Sequence, residues 1–325
     1  MASTLTDDRQ LARSCWYVSG ATASGKSDVG ICLAERLGGE IVSLDSMAIY
    51  RGMNIGTAKP TPAQQARIPH HLLDLLDPTE SYSVSRYREV ALQTIRAIQA
   101  RGKAVVFVGG TALYLKALLR GIFEGPPADW DFRRSVEAEV AEIGLEPLYQ
   151  RLQQVDPLSA HKLHPRDKRR IIRALEVYTL TGQPISHLQE EFEFGEKAEA
   201  CRVFAIRHPR DVLHQRIEAR VDAMFAAGLV DEVRGLLQEF PQLSPTAMQA
   251  VGYREVIDHV LGIADLAATR QRVLVRTRRF ARHQETWFRG LSECRMLDVV
   301  APISAGEIAE EIWRAGGGSL ASPRH

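Results

Sequence analysis

The stretch Gly20-Ala21-Thr22-Ala23-Ser24-Gly25-Lys26-Ser27 has the Gly-x-x-x-x-Gly-Lys-Ser spacing of a phosphate-holding loop. Its chemistry follows from the residue types. Glycines let successive backbone N–H groups converge on an anion, a helix opening at the loop's end adds a favourable field, and Lys26 supplies a point charge. The Ser27 hydroxyl can ligate Mg²⁺. The spacing specifies a phosphate and does not choose between a nucleoside triphosphate and another diphosphate. Two further groups stand at the ends of apolar runs: Asp45-Ser46 after GEIVSLDS, and Thr111 after KAVVFVGG. Taken singly, Asp45 reads as a turn former and Thr111 as a helix N-cap. Together with Lys26, at three strand ends of one sheet, they read as a site. The run AVVFVGG ends in glycine, where many ATP-hydrolysing proteins place an acid, and this weighs against ATP hydrolysis.

The elements that must position these residues alternate in type. CWYVSG (15–20) reads as a buried strand, and GEIVSLDS (39–46), KAVVFVGG (103–110), CRVFAIRH (201–208) and RMLDVV (295–300) read as further strands. The segments 26–39, 84–101 and 111–121 between them read as helices, the first stopped by Gly38-Gly39. Alternation of this kind predicts an α/β fold with a parallel sheet, in which ligands bind outside the carboxyl ends of the strands. After Gly125-Pro126-Pro127 the pattern turns helical with no strand. The economical organisation is a P-loop α/β core formed by 14–125 and 199–313, interrupted by a helical insertion at 126–198. The polar segment 1–13 and the Gly/Ser-rich segment 314–325 read as flexible tails.

Three arginine-rich segments stand out. LAATRQRVLVRTRRFARHQ (266–284) carries six arginines and no acid. Helical spacing puts Arg272, Arg276, Arg279 and His283 in one stripe, with Trp287 and Phe288 near its end, a pattern that suits a polyphosphate backbone. HKLHPRDKRRIIR (161–173) lies in the insertion, so two basic surfaces could grip one nucleic acid. Arg216 and Arg220 share a face of a third helix; the plain alternative is pairing with Glu218 or Asp222, and the functional reading is a second clamp on bound phosphates.

Composition bounds the rest. The chain has 325 residues, a formal net charge of +1, and four cysteines without CxxC spacing. Bulk charge therefore does not announce a nucleic-acid binder, and neither a zinc site nor a disulfide framework is expected. No stretch of 18 apolar residues and no signal peptide is present, so a cytoplasmic protein is expected.

The segments GATASGKS, LDSMAIYRGMNIGTAKP, PHHLLDLLDP, VGGTALYLKALLRG, RRIIRALEVY, RIEARVDAM, QAVGYRE and RHQETWFR occur in order, and with them the chain resembles the tRNA dimethylallyltransferase family along nearly its whole length. The resemblance implies transfer of a prenyl group from dimethylallyl diphosphate, with Mg²⁺, to the exocyclic amine of the adenosine 3′ of the anticodon. It implies Asp45 as general base, Thr111 as partner of the leaving oxygen, and Lys26 and Arg220 as further catalytic groups. The loop Gly20–Ser27 with Arg220 would hold the diphosphate, and Ser27 the metal. The anticodon stem-loop would meet Asp45, Ser46, Met47, Ala48, Thr111, Arg133, Arg169, Arg170, Ile171, Ile172 and Arg173. It would also meet Gln249, Ala250, Val251, Gly252, Tyr253, Arg254, Arg276, Arg279, Phe280, Arg282, His283, Gln284 and Trp287. A monomer is expected. Ala21 stands where the family usually has proline, Arg169 where glutamine is expected, and Gln249 where arginine is. The rival reading is a P-loop small-molecule or nucleotide kinase, which would consume ATP. A second is a non-catalytic RNA-binding module.

Overall fold

The computed structural model describes residues 2–123, 125–189, 192, 195–300 and 303–317. It divides into two compact units, one formed by Met1–Leu119 with Gly195–His325, the other by Arg120–Phe194. The first unit runs α1 (Ala2–Arg13), β1 (Trp16–Gly20), α2 (Lys26–Leu37), β2 (Glu40–Ser43), α3 (Pro62–Arg67), β3 (His70–His71), α4 (Val84–Ala100), β4 (Val105–Val108) and α5 (Ala112–Arg120). The second holds α6 (Trp130–Ile143), α7 (Glu146–Val155), α8 (Pro157–Lys162), α9 (Lys168–Thr181) and α10 (Ile185–Gln189). The first then resumes with β5 (Val203–Arg207), α11 (Arg210–Ala226), α12 (Leu229–Glu239), α13 (Tyr253–Val260), α14 (Leu266–Arg289), β6 (Cys294–Asp298) and α15 (Ala305–Ala315).

The six strands form one parallel sheet in the order β3-β2-β4-β1-β5-β6. β1 is central and all five of its residues are buried, which is why its sequence is a continuous apolar run and not an alternating one. Alternate residues still serve opposite faces. Trp16 and Val18 join Ile31, Leu33, Ile308 and Ile312 under α2 and α15, while Tyr17 joins Tyr87, Ile95, Leu115 and Val256 on the other side. A third cluster seats the phosphate loop: Ala21 and Ala23 rest on Leu213, Ile217 and Val221 of α11 and Val273, Leu274 and Ala281 of α14.

Several elements escaped the sequence reading, α1 and β3 among them. Residues expected to fray fold as α1, whose Asp8 bridges Arg88 and Arg96 of α4 and whose Ala12 is buried in the core. The edge strand β3 has only two residues, too few to show a period. Of the C-terminal segment, 318–325 lies outside the described residues. The helical unit has its own core of Val136, Leu148, Leu152, Ile171, Leu175 and Val177, and its bounds begin and end a few residues earlier than the 126–198 expected.

Candidate active site

Strand register brings the chemistry together. Gly20 is level with Ile206, and Ser43 with Val108, so the loops that leave β1, β2 and β4 emerge at one edge of the sheet. They enclose a cavity of about 320 Å³ lined by Thr22, Lys26, Ser27, Asp45, Thr111 and Arg220, among others. The loop itself is braced from below. Gly25 caps α2 in the left-handed region at φ 88. Ala23 stands there too, at φ 64, a geometry that costs a non-glycine residue about 1–2 kcal/mol. Its carbonyl accepts from Arg216 Nε at 2.8 Å, and the Ser24 carbonyl lies 2.9 Å from His208 Nε2. Gln284 of α14 reaches in with its amide: Oε1 accepts from the Thr22 N–H at 2.8 Å, and Nε2 donates to the Gly110 carbonyl at 2.9 Å.

Lys26, Arg216 and Arg220 make this corner strongly cationic. Lys26 Nζ donates to the Ala21 carbonyl at 3.1 Å, and Arg220 Nη1 to the Thr22 hydroxyl at 3.3 Å. Among the described residues neither arginine has an acidic partner. Glu218 and Asp222, the acids their own helix offers, pair with Arg278 and Arg270 of α14. Burial, then the charge of Arg220, pushes the Lys26 ammonium down to about 8, against an upward pull from Asp45. Burial, then Arg216, lowers Arg220 in the same way. Crowded cations with no ion-pair partner among the described residues make a seat for an anion.

Asp45 is arranged differently on its two oxygens. Oδ1 accepts from the N–H groups of Met47 at 2.8 Å and Ala48 at 3.4 Å, which locks the carboxylate. Oδ2 has no hydrogen-bond partner among the described residues. Thr111 does not only open α5: its Oγ1 accepts from the Ser46 N–H at 3.1 Å and donates to Ser46 Oγ at 3.4 Å, tying the β4 turn to the β2 turn. Among the described residues the Ser27 hydroxyl has no hydrogen-bond partner, and no group of three or more His, Cys, Asp or Glu side chains suited to a metal occurs. A divalent ion would therefore rest on Ser27 and on oxygens brought by the ligand, the manner in which Mg²⁺ is commonly held with phosphates.

The residues expected to meet RNA separate into groups. Asp45–Ala48, Thr111, Gln249, Ala250, Val251, Phe280 and Gln284 line the cavity. Arg279, Arg282, His283 and Trp287 are exposed along α14, as are Arg169, Arg170 and Arg254 on their own helices. Several expectations are corrected. Ile171 and Ile172 point into the core of the helical unit, so their side chains offer RNA no surface. Arg133 and Arg173 both bind the fully buried Glu176, whose carboxylate they hold below its usual range against the upward push of burial, and their first task is to neutralise it. Tyr253 is buried and Gly252 is turned to Glu255. The α14 stripe is not free of acids in space: Arg272 pairs with Asp258 and Arg276 with Glu255, both from α13. Gln284 is a brace on the phosphate loop as well as part of the cavity wall.

Sequence reasoning also missed residues. Lys59, in the segment NIGTAKP, lines the cavity but spends its ammonium on the Tyr50 carbonyl at 2.8 Å, Asn54 Oδ1 at 2.9 Å and Asp74 Oδ1 at 2.5 Å. Glu232 of α12 binds the backbone of the same segment. Nothing local marks either role, because each partner is set by the fold.

Residues 48–291 match the family model described as IPP transferase. The chain belongs to that family. It is 49% identical over 299 residues to the tRNA dimethylallyltransferase of Rhodopirellula baltica, covering 90% of each chain, and 46% identical over 276 residues to that of Geobacter metallireducens, covering 85% and 89%. Among solved structures it is similar to the tRNA isopentenylpyrophosphate transferase of Bacillus halodurans, with TM-score 0.67, 36% identity, and 93% and 96% of the two chains covered. A eukaryotic dimethylallyltransferase solved acting on tRNA gives TM-score 0.70 at 26% identity, with 93% and 76% covered.

Proposed function

We propose that this protein is a tRNA dimethylallyltransferase that moves a five-carbon prenyl group from dimethylallyl diphosphate to the exocyclic amine of the adenosine 3′ of the anticodon. The observation that carries the reading is the pairing, within one cavity, of an unneutralised cationic loop with an aspartate whose second oxygen is open. A diphosphate needs the first, and an amine that must lose a proton needs the second. Membership in the IPP transferase family and the names of its relatives support the substrate class.

The adenine amine is a weak nucleophile because its lone pair is delocalised into the ring. It must shed a proton as the new carbon–nitrogen bond forms. A carboxylate is too weak a base to deprotonate it beforehand, so Asp45 Oδ2 takes the proton during attack while Oδ1 stays locked by Met47 and Ala48. As the carbon–oxygen bond to the diphosphate breaks, negative charge gathers on the leaving group. Lys26, Arg220 and the loop N–H groups meet that charge in a partly closed cavity, where fixed cations are most effective. Thr111 is assigned as the partner of the leaving oxygen, to which its hydroxyl would turn from Ser46 Oγ. Mg²⁺ fits at Ser27 and would supply further charge neutralisation. The target base must leave the anticodon-loop stack to enter the cavity, with Phe280 on its wall as a stacking partner. The reading includes a monomer acting in the cytoplasm.

The test is label transfer. Incubation with dimethylallyl diphosphate labelled in the prenyl group, with and without tRNA, should move label into RNA and release diphosphate only when both substrates are present. Consumption of ATP in place of this transfer overturns the reading in favour of a kinase.

A further inference from the structure

Glu232 stands in the first turn of α12 and belongs to none of the segments that mark the site. Its carboxylate nevertheless takes four donors. Oε2 accepts from the N–H groups of Asn54 at 3.0 Å and Ile55 at 2.8 Å, and Oε1 from the Gly56 N–H at 3.3 Å and the Tyr253 hydroxyl at 2.6 Å. Three consecutive N–H groups converging on one anion form the same kind of nest that a phosphate loop offers to a ligand. Here the anion is part of the chain. The Tyr253 ring is fully buried and lies against Gly56, where a Cβ would come within 2.4 Å of Tyr253 Cε2, so only glycine fits. Burial, then the neighbouring carboxylate, drives the Tyr253 phenol far up, which keeps its proton available for Glu232.

The two segments gripped in this way are both cavity wall. Gly56–Pro60 follows directly from the nest and includes Ala58 in the left-handed region at φ 51, a conformation that needs support. Gln249–Val251 directly precedes Gly252 and Tyr253. One carboxylate thus fixes the separation of two stretches of wall that are about 190 residues apart in sequence. We infer that Glu232 is a positioning residue for prenyl transfer: it holds the two walls in one geometry, so that the donor carbon meets the adenine amine and not water.

The inference rests on the proposed function. The competing reaction balances simply. A water oxygen bonds to the allylic carbon as the carbon–oxygen bond to the diphosphate breaks, the bonding pair leaves with the diphosphate, and a proton passes to solvent, giving the five-carbon alcohol. A wall held loosely admits that water and misplaces the amine, and a misplacement of about 1 Å can cost on the order of 10²-fold in rate.

The experiment uses the full chain with dimethylallyl diphosphate, Mg²⁺ and tRNA, and measures prenylated RNA and free prenyl alcohol side by side with the thermal midpoint. In Glu232→Gln the side-chain amide turns a donor toward N–H groups that need an acceptor. Transfer should fall by about tenfold or more and the ratio of alcohol to prenylated RNA should rise by about tenfold. Tyr253→Phe keeps the nest and loses only the link to the second wall. It should shift the same ratio by roughly threefold with a nearly unchanged midpoint, and it carries the test if Glu232→Gln does not fold. An unchanged ratio in the folded variants, with only the midpoint lowered, overturns the inference and leaves Glu232 as a stability clasp. The unsubstituted protein run in parallel separates the two levels: absence of any transfer there overturns the functional reading itself.

Discussion

Two glycine-containing loops, each with a lysine, line the same cavity, and they do opposite things. In Gly20–Ser27 the lysine and two nearby arginines lack acidic partners among the described residues, and the corner they form calls for an anion from outside. In Asn54–Pro60 the anion is already supplied by Glu232, and Lys59 is consumed by Tyr50, Asn54 and Asp74. The two loops share glycine, alanine, threonine and lysine. What separates a binding loop from a scaffold loop is whether the fold provides an internal counter-charge. The first loop keeps a strained, cationic geometry that an anion from outside would satisfy, and the second is satisfied within the chain.

That contrast can be broken most directly by exchanging the lysines' fates. Lys26→Met should lower kcat by ~10³-fold with the fold intact, because a leaving diphosphate loses its nearest fixed charge. Lys59→Met should instead cost about 1 kcal/mol of stability, because the Tyr50 carbonyl loses its donor while Asn54 and Asp74 are exposed and can turn to water, and keep activity per folded molecule within a few-fold. Single-turnover rates and thermal midpoints on the same preparations check both, and a ~10³-fold rate loss in a well-folded Lys59→Met would erase the distinction. Next in size is Asp45→Asn, which keeps the Met47 and Ala48 contacts possible and removes the base. Its kcat should fall by at least ~10²-fold with RNA affinity retained.

A third measure is pH. Lys26 titrates at about 8 in the free protein, below its usual 10.5. Donor binding needs the charged form, so donor affinity should be flat below about pH 8 and weaken by up to about tenfold per unit above it. Lys26→Arg should abolish the bend. The sign for stability is opposite: the unfolded chain holds this proton to higher pH than the folded one, so the buried charge's cost is relieved as pH rises from about 8. The smallest effect concerns α14. Arg279 and Arg282 have no ion-pair partner among the described residues, whereas Arg276 is neutralised by Glu255. Arg279→Ala with Arg282→Ala should reduce the salt slope of RNA binding by about 1–2, and Arg276→Ala should change it by less. Equal slopes for the two variants would show that pairing in the free protein does not predict which arginines meet RNA.

Most of the sheet and the phosphate loop were legible because their signals are local. A buried parallel strand is a short apolar run, and Gly25-Lys26 at a helix start carries its own chemistry. The site's bracing was not legible. Gln284 is expected only as an RNA contact, yet its amide joins Thr22 to Gly110 across the cavity rim. The α14 arginines read as an unpaired stripe because their acids lie on α11 and α13. Arg133 and Arg173 read as RNA contacts because the charge that claims them, Glu176, is buried among apolar residues. Apart from Arg173, whose Glu176 stands three residues on in the same helix, the deciding partner is a charge or carbonyl that tertiary structure brings near, and no periodicity encodes it. α1 was missed for a related reason: Asp8 finds Arg88 and Arg96 on α4, and Ala12 its core neighbours, only in the folded chain.

The strand order has a consequence in time. β1 sits between β4 and β5, and Val203 of β5 is synthesised 95 residues after Val108 of β4, with the helical unit in between. At the usual ~5–20 residues per second, one side of β1 waits roughly 5–20 s on the ribosome for its neighbour. During that interval an apolar strand is complete along one edge and bare along the other, the state in which sheets recruit the wrong partner. The helical unit, built on a core of its own, can fold while the edge is still open. A chain stopped just past it would be the aggregation-prone form of this protein.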